Sequence, residues 1–150
     1  MILVDTSVLI DYFRGAERPH CHAFQWILDG SLPFGINAHI YQELLQGTRL
    51  DQEYEKLKTY LDSQVFYQFQ NPLESHAQAA QIYRRCRKSG YSGVSTIDCL
   101  IAQTAIENDL WLLHHDSDFE KIAKVAPLKL FSDWLGGNAF SGGETDDRPE

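Results

Sequence analysis

The amino-acid sequence predicts an α/β fold in which a mostly parallel sheet is covered by helices on both faces. Two observations carry this reading. Short continuous apolar runs alternate with stretches of helical periodicity, and Gly, Pro, Asn, Asp or Ser marks most boundaries between them. Strands separated by helices are joined by right-handed crossovers, which makes neighbouring strands parallel and buries the sheet between helical layers.

Ile2-Leu3-Val4 reads as the first strand, and Asp5-Thr6-Ser7 supplies cap residues for a helix carrying Val8, Leu9, Tyr12 and Phe13. A second helix places Phe24, Ile27 and Leu28 on one face and stops at Asp29-Gly30. Leu32 to Ile36 is the next strand. Asn37 caps a helix carrying Ile40, Tyr41, Leu44 and Leu45, which ends near Gly47. Tyr54, Leu57 and Leu61 give Asp51–Asp62 a helical period, and Val65 to Phe69 is β-branched and aromatic enough for a strand. Pro72 breaks the chain before a long helix, Leu73 to Lys88, with Ala77, Ala80 and Tyr83 as its apolar face and Arg84, Arg85, Arg87 and Lys88 at its end. Ser95 starts a helix with Ile97, Leu100, Ile101 and Ala105 on one side, followed by a strand at Trp111 to His114. A short helix over 119–125 and a last strand at Leu128 to Phe131 complete the body.

The 150 residues, 43% hydrophobic and 23% charged, suit one domain with one core. Residues 1–135 are expected to form it. Residues 136–150, rich in Gly and acidic side chains, are expected to be a disordered tail. No run of eighteen apolar residues is present, and the first strand has neither a basic segment before it nor freedom from acids, so neither a membrane span nor a signal peptide is expected. Cys21, Cys86 and Cys99 are odd in number and lack C-x-x-C spacing, which fits a reducing cytoplasm. His20-Cys21-His22 has no second ligand pair at recognisable spacing and reads as a surface helix segment rather than a zinc site.

A net charge of -8 is the wrong sign for a protein that holds nucleic acid by blanket neutralisation of phosphates. Arg14, Arg18 and the Arg84, Arg85, Arg87 and Lys88 cluster are the available phosphate contacts, although cations at a helix end also suit its dipole.

Four acids stand out: Asp5, Glu43, Asp98 and Asp116. Each lies just after, or in the first turns of the helix after, a strand or loop assigned to one edge of the sheet, where the carboxyl ends of parallel strands form a crevice. Each also has an ordinary structural use: Asp5 at a helix start, Asp98 in an S-x-x-D capping box, Asp116 and Asp118 in a turn, Glu43 as an exposed helical residue. Gathered in one pocket, however, such acids raise one another's pKa and call for a counter-charge. Oxygen-only ligation favours Mg²⁺ or Mn²⁺, and such ions activate water for attack on phosphorus.

V-D-T-S at 4–7, Y-Q-E-L-L-Q-G around Glu43, S-T-I-D-C-L-I-A at 95–102 and L-L-H-H-D-S-D-F at 112–119 resemble PIN domains of the VapC type. The resemblance spans about residues 1 to 134. It implies three PIN-like α/β/α layers with about five parallel strands, and a metal-binding quartet at Asp5, Glu43, Asp98 and Asp116 supported by Thr6. It further implies a Mg²⁺- or Mn²⁺-dependent endoribonuclease acting on RNA, the homodimeric toxin of a toxin–antitoxin pair held inactive by a small antitoxin protein. Asp118 competes with Asp116 for the fourth position, and Asp116 is preferred because it follows the strand directly while Asp118 can cap the next helix. His114 stands where the family often has Thr or Ser, so His114 and His115 are candidates for substrate contact or for strand-end packing.

A receiver-like signalling domain also gathers carboxylates and Mg²⁺ at a sheet edge, but needs adjacent acids after the first strand, where this chain has Thr6 and Ser7. A catalytically silent metal-binding interaction domain is the other alternative.

Overall fold

The computed structural model describes residues 1–138, with side chains to Leu135. Its elements run β1 (Ile2–Val4), α1 (Thr6–Phe13), α2 (Pro19–Asp29), β2 (Phe34–Gly35), α3 (Ala38–Gln46), α4 (Asp51–Asp62), α5 (Pro72–Lys88), α6 (Thr96–Glu107), β3 (Trp111–Leu113), α7 (Ser117–Ala123), β4 (Lys129–Leu130) and α8 (Phe131–Asn138). The four strands are parallel in the order β2-β1-β3-β4. All three residues of β1 are buried, and successive side chains in a strand point to opposite faces. Both faces of the sheet are therefore covered by helices.

The predicted fifth strand, Val65 to Phe69, is reduced to one parallel bridge between Ile36 and Phe66. Ile36 N–H donates to the Val65 carbonyl at 2.9 Å and Tyr67 N–H to the Ile36 carbonyl at 2.8 Å. The ladder has no room to extend, because Pro33 brings no N–H and Asn37 already caps α3. Gly35 permits even this approach: a Cβ there would collide with the Val65 carbonyl and lie 2.8 Å from the Tyr67 ring.

Three further expectations change. The buried face of α5 is Ser75, Ala79, Ile82 and Cys86, whereas Ala77, Ala80 and Tyr83 are exposed. Ser75 can be buried because its hydroxyl is satisfied by donating to Glu107 at 2.6 Å. His20 and Cys21, expected on the surface, are buried. Phe131 starts α8 instead of ending a strand, and this helix runs to Asn138, past the predicted end of order. The rest of the predicted 136–150 tail lies outside the described residues. Among the described residues no helix is long and apolar enough to cross a membrane, and all three cysteines are free and buried.

Candidate active site

Asp5 follows the last residue of β1 in extended conformation, and its N–H donates to the Leu113 carbonyl of β3 at 2.9 Å. This fixes it at the carboxyl edge, between the two central strands. Its Oδ2 accepts from Ser7 N–H at 3.0 Å and from Ser7 Oγ at 2.6 Å, so Asp5 caps α1. Burial pushes its carboxyl up to about 6, and the Glu43 charge adds to the rise, although the Ser7 hydrogen bonds oppose it.

The next residue ties a second acid in place. Thr6 Oγ1 donates to Glu43 Oε2 at 2.7 Å. Glu43 lies on α3, whose N-cap Asn37 accepts from Ile40 N–H at 2.9 Å and donates through Nδ2 to Thr104 Oγ1 of α6 at 3.0 Å. One buried asparagine thus starts α3 and holds it against α6.

Asp98 forms a full capping box: Ser95 N–H donates to its Oδ2 at 2.8 Å, and its own N–H donates to Ser95 Oγ at 3.1 Å. Burial raises its pKa, with the charges of Asp116 and Asp118 adding. Asp116 caps α7, accepting from Asp118 N–H at 2.9 Å. The expected division of labour in this turn is therefore corrected, since Asp116 rather than Asp118 caps the helix. Asp118 instead pairs with Lys121 at 2.6 Å, and Lys121 also donates to the Ser92 carbonyl at 2.9 Å.

All four predicted acids lie at or beside the carboxyl edge. The structure couples Glu43 to Asp5, and Asp116 and Asp118 to Asp98; the two groups flank the adjacent ends of β1 and β3, which Ser7 links by accepting from His115 N–H and donating to Asp5. The capping bonds fall on one oxygen of each carboxylate: Oδ2 of Asp5, Oδ2 of Asp98 and Oδ1 of Asp116.

Sequence reasoning missed two residues of this constellation. Ser7 bridges Asp5 to the far strand, because its Oγ also accepts from His115 N–H at 2.9 Å. Lys121 carries the counter-charge for Asp118. The D-T-S triplet carried a signal for Ser7, but nothing local distinguished Lys121 from other surface lysines. His114 is a packing residue: half-buried, its pKa lowered by burial, with Nδ1 accepting from Asp116 N–H at 3.2 Å and its ring 5.3 Å from that of Phe119. Arg84, Arg85, Arg87 and Lys88 are exposed, and Arg18 lies 3.7 Å from Asp11.

Residues 2–125 match the PIN domain. The chain belongs to the PIN-domain family. It is 30% identical over 133 residues to VapC ribonuclease Mb1587 of Mycobacterium bovis, covering 88% of this chain and 98% of that protein, and the same figures hold for Ribonuclease VapC11 of Mycobacterium tuberculosis. In structure it resembles VapBC-1 from nontypeable Haemophilus influenzae, with a TM-score of 0.65 and 18% identity over 87% of this chain and 96% of that one. FitAcB from Neisseria gonorrhoeae gives a TM-score of 0.63 and 21% identity over 89% and 99%. This PIN domain is thus a VapC ribonuclease homologue, and the receiver-like alternative is overturned.

Proposed function

We propose that this PIN domain is the toxin of a toxin–antitoxin pair, an endoribonuclease in which Asp5, Glu43, Asp98 and Asp116 hold Mg²⁺ or Mn²⁺. The observation that carries the reading is the convergence of acids at one sheet edge, where Asp5 is buried and its pKa is raised by burial and by Glu43. Lys121 offsets charge only on the α6–α7 side, and the donors are all hard oxygens, so the residues fit a hard divalent cation. When bound, the ion supplies an activated water and neutralises charge on the leaving oxygen. The chain's own part is to aim the acids: Ser7 orients Asp5, Thr6 orients Glu43, Ser95 orients Asp98, and the start of α7 orients Asp116. Asp118 supports from outside the quartet, since Lys121 already neutralises it.

The antitoxin reading is supported by the structural neighbours, which include a toxin–antitoxin complex from Klebsiella pneumoniae and VapBC2 from Rickettsia felis. Phe13 of α1 and Tyr60 of α4 are exposed and meet edge to face at 5.6 Å, with Tyr54 also exposed on α4. This aromatic face is the proposed dock for an apolar antitoxin helix. A second copy of the chain is the proposed partner of the α5–α6 face, where Leu73, Ala80 and Tyr83 stay uncovered. Free buried cysteines accord with the proposed cytoplasmic location.

The test is cleavage of single-stranded RNA by the purified protein with Mg²⁺ or Mn²⁺. Chelation or Asp5→Asn should abolish it while the far-UV spectrum stays unchanged; cleavage persisting in excess chelator would sink the metal mechanism. Co-purification with a small protein and growth arrest on expression alone test the toxin reading separately.

A further inference from the structure

Beside the carboxylate site, Asp11 of α1, His20 of α2 and His115 after β3 meet at one point. A ligand atom from each lies within 4.8 Å of the other two. His20 Nε2 is 2.8 Å from Asp11 Oδ2, and the His20 and His115 rings stack at 4.0 Å with an interplanar angle of 13°. The His20 side chain is only 6% exposed, while His115 is exposed and moored through its N–H to Ser7. A buried histidine is satisfied by one carboxylate. Nothing in that role requires a second imidazole laid over the first.

We propose that Asp11, His20 and His115 form a second metal site, which takes a borderline divalent ion of the Zn²⁺ class. Two imidazole nitrogens and one carboxylate suit such an ion, whereas the all-oxygen site suits Mg²⁺. Three protein ligands leave a position open to solvent. In a tetrahedral site with bonds of about 2.0–2.1 Å, ligand atoms sit roughly 3.4 Å apart, so three atoms within 4.8 Å of one another can close on one ion by side-chain rotation. Parallel rings cannot both direct in-plane lone pairs at one ion, and His115, being exposed, is the ring that turns. His20 and the Arg18 charge hold the Asp11 carboxyl below the usual range, so Asp11 is ready as a ligand; to ligate through Nε2, neutral His20 carries its proton on Nδ1, and the Nε2–Asp11 hydrogen bond is exchanged for the ion. Arg18 opposes a cation and must swing outward. Cys21 takes no part: burial raises its pKa, the Asp11 charge raises it further, and it packs in the core. The site communicates with the first, because the His115 N–H reaches Ser7, and Ser7 reaches Asp5.

The experiment is calorimetric titration of Zn²⁺ into the full chain in excess Mg²⁺, paired with Co²⁺ titration read by visible absorption. One Zn²⁺ per chain should bind despite the Mg²⁺, and Co²⁺ should give the intense bands of a low-coordinate nitrogen-containing site. His115→Ala, at an exposed position, should weaken Zn²⁺ binding by more than about tenfold, as should Asp11→Asn. Arg18→Ala should strengthen it, and Asp98→Asn and His22→Ala should leave it unchanged. Unaltered binding in His115→Ala and Asp11→Asn overturns the proposal. So does loss of binding in Asp98→Asn, which would place Zn²⁺ among the carboxylates, or in His22→Ala, which would place it at the exposed His22–Glu17 pair. None of these readouts depends on RNA cleavage, so the ribonuclease reading and the second site stand or fall separately.

Discussion

Asp5 and Glu43, on the β1 side of the site, are tied by side-chain hydroxyls and pair with no cation among the described residues, whereas on the α6–α7 side Asp98 and Asp116 are tied by helix caps, Asp118 by Lys121, and all three feel the Lys121 charge. Asp5 is the most buried of the five, and burial pushes it up to about 6. The α6–α7 side has a built-in counter-charge: Lys121 is held above its usual range by the Asp118 hydrogen bond, with Asp116 and Asp98 contributing. The contrast teaches which half depends on a bound ion. The β1 half is arranged for a charge that the protein does not itself supply.

The largest expected effect follows directly. Asp5→Asn should lower RNA cleavage by at least about a hundredfold, because a hard cation loses its most buried anionic ligand. In metal-free buffer near neutral pH the same variant should melt higher than wild type, since it removes a buried charge without a partner. Loss of activity together with a lower melting temperature would mean that Asp5 is needed for the fold and would undo the contrast between the halves.

The same carboxyl sets a pH dependence. Its pKa is raised from 3.8 to about 6 in the folded chain, so the native state binds the proton more tightly than the unfolded state. The stability this contributes is fully present below pH 3.8 and is lost as the pH rises through about 6. The loss is of order 3 kcal/mol for the Asp5 contribution. The measurement is the stability difference between wild type and Asp5→Asn with chelator present, which should grow in favour of the variant from pH 4 to pH 6.5 and then level off. Saturating Mg²⁺ should shrink or reverse it. A flat difference across that range would show that Asp5 titrates as an exposed acid.

Much of this was legible in the sequence, and the failures share a cause. Strands β1, β2 and β3 and helices α1 to α6 follow from local periodicity and cap residues, and two of the four acids, Asp5 and Asp98, were recognisable both as helix-start residues and as site candidates. The weak fifth strand was misread because Val65 to Phe69 has strand propensity, while the length of its partner is limited by Pro33 and Asn37, far away in sequence. The α5 face was misread because Ser75 becomes a core residue only when Glu107 arrives from α6. In the site, Ser7 and Lys121 act through residues on other elements. Single-chain patterns show which residue can do a job locally; they do not show which remote partner completes it.

A middle-sized effect concerns the α6–α7 half. Asp116→Asn should cut cleavage by more than about tenfold, because Asp116 lies within electrostatic reach of Asp98 while the Lys121 salt bridge falls on its neighbour Asp118. Asp118→Asn should cost only a few-fold, through a loosened Lys121 and Ser92 loop, and Lys121→Met should resemble it. Metal titrations of the two Asp variants decide the ranking, and the reverse order would exchange their roles.

The smallest expected effect isolates the hydroxyl that joins the first two acids. Thr6 is buried and touches Glu43 through Oγ1 at 2.7 Å, so it acts on the site by orienting a carboxylate. Thr6→Val keeps the shape and removes the donor, leaving Glu43 free to turn. Net hydrogen-bond strengths of about 1 kcal/mol, or somewhat more to a charged acceptor, correspond to a loss of roughly five- to tenfold. The loss should appear mainly in the Mg²⁺ concentration needed for half-maximal cleavage, with a smaller change in the rate at saturating metal. Thr6→Ser restores the donor and should recover most of the metal affinity even if it costs some packing. If Thr6→Val and Thr6→Ser are impaired equally, the methyl group rather than the hydroxyl is what matters at this position, and the hydroxyl tie that distinguishes the β1 half has no functional weight.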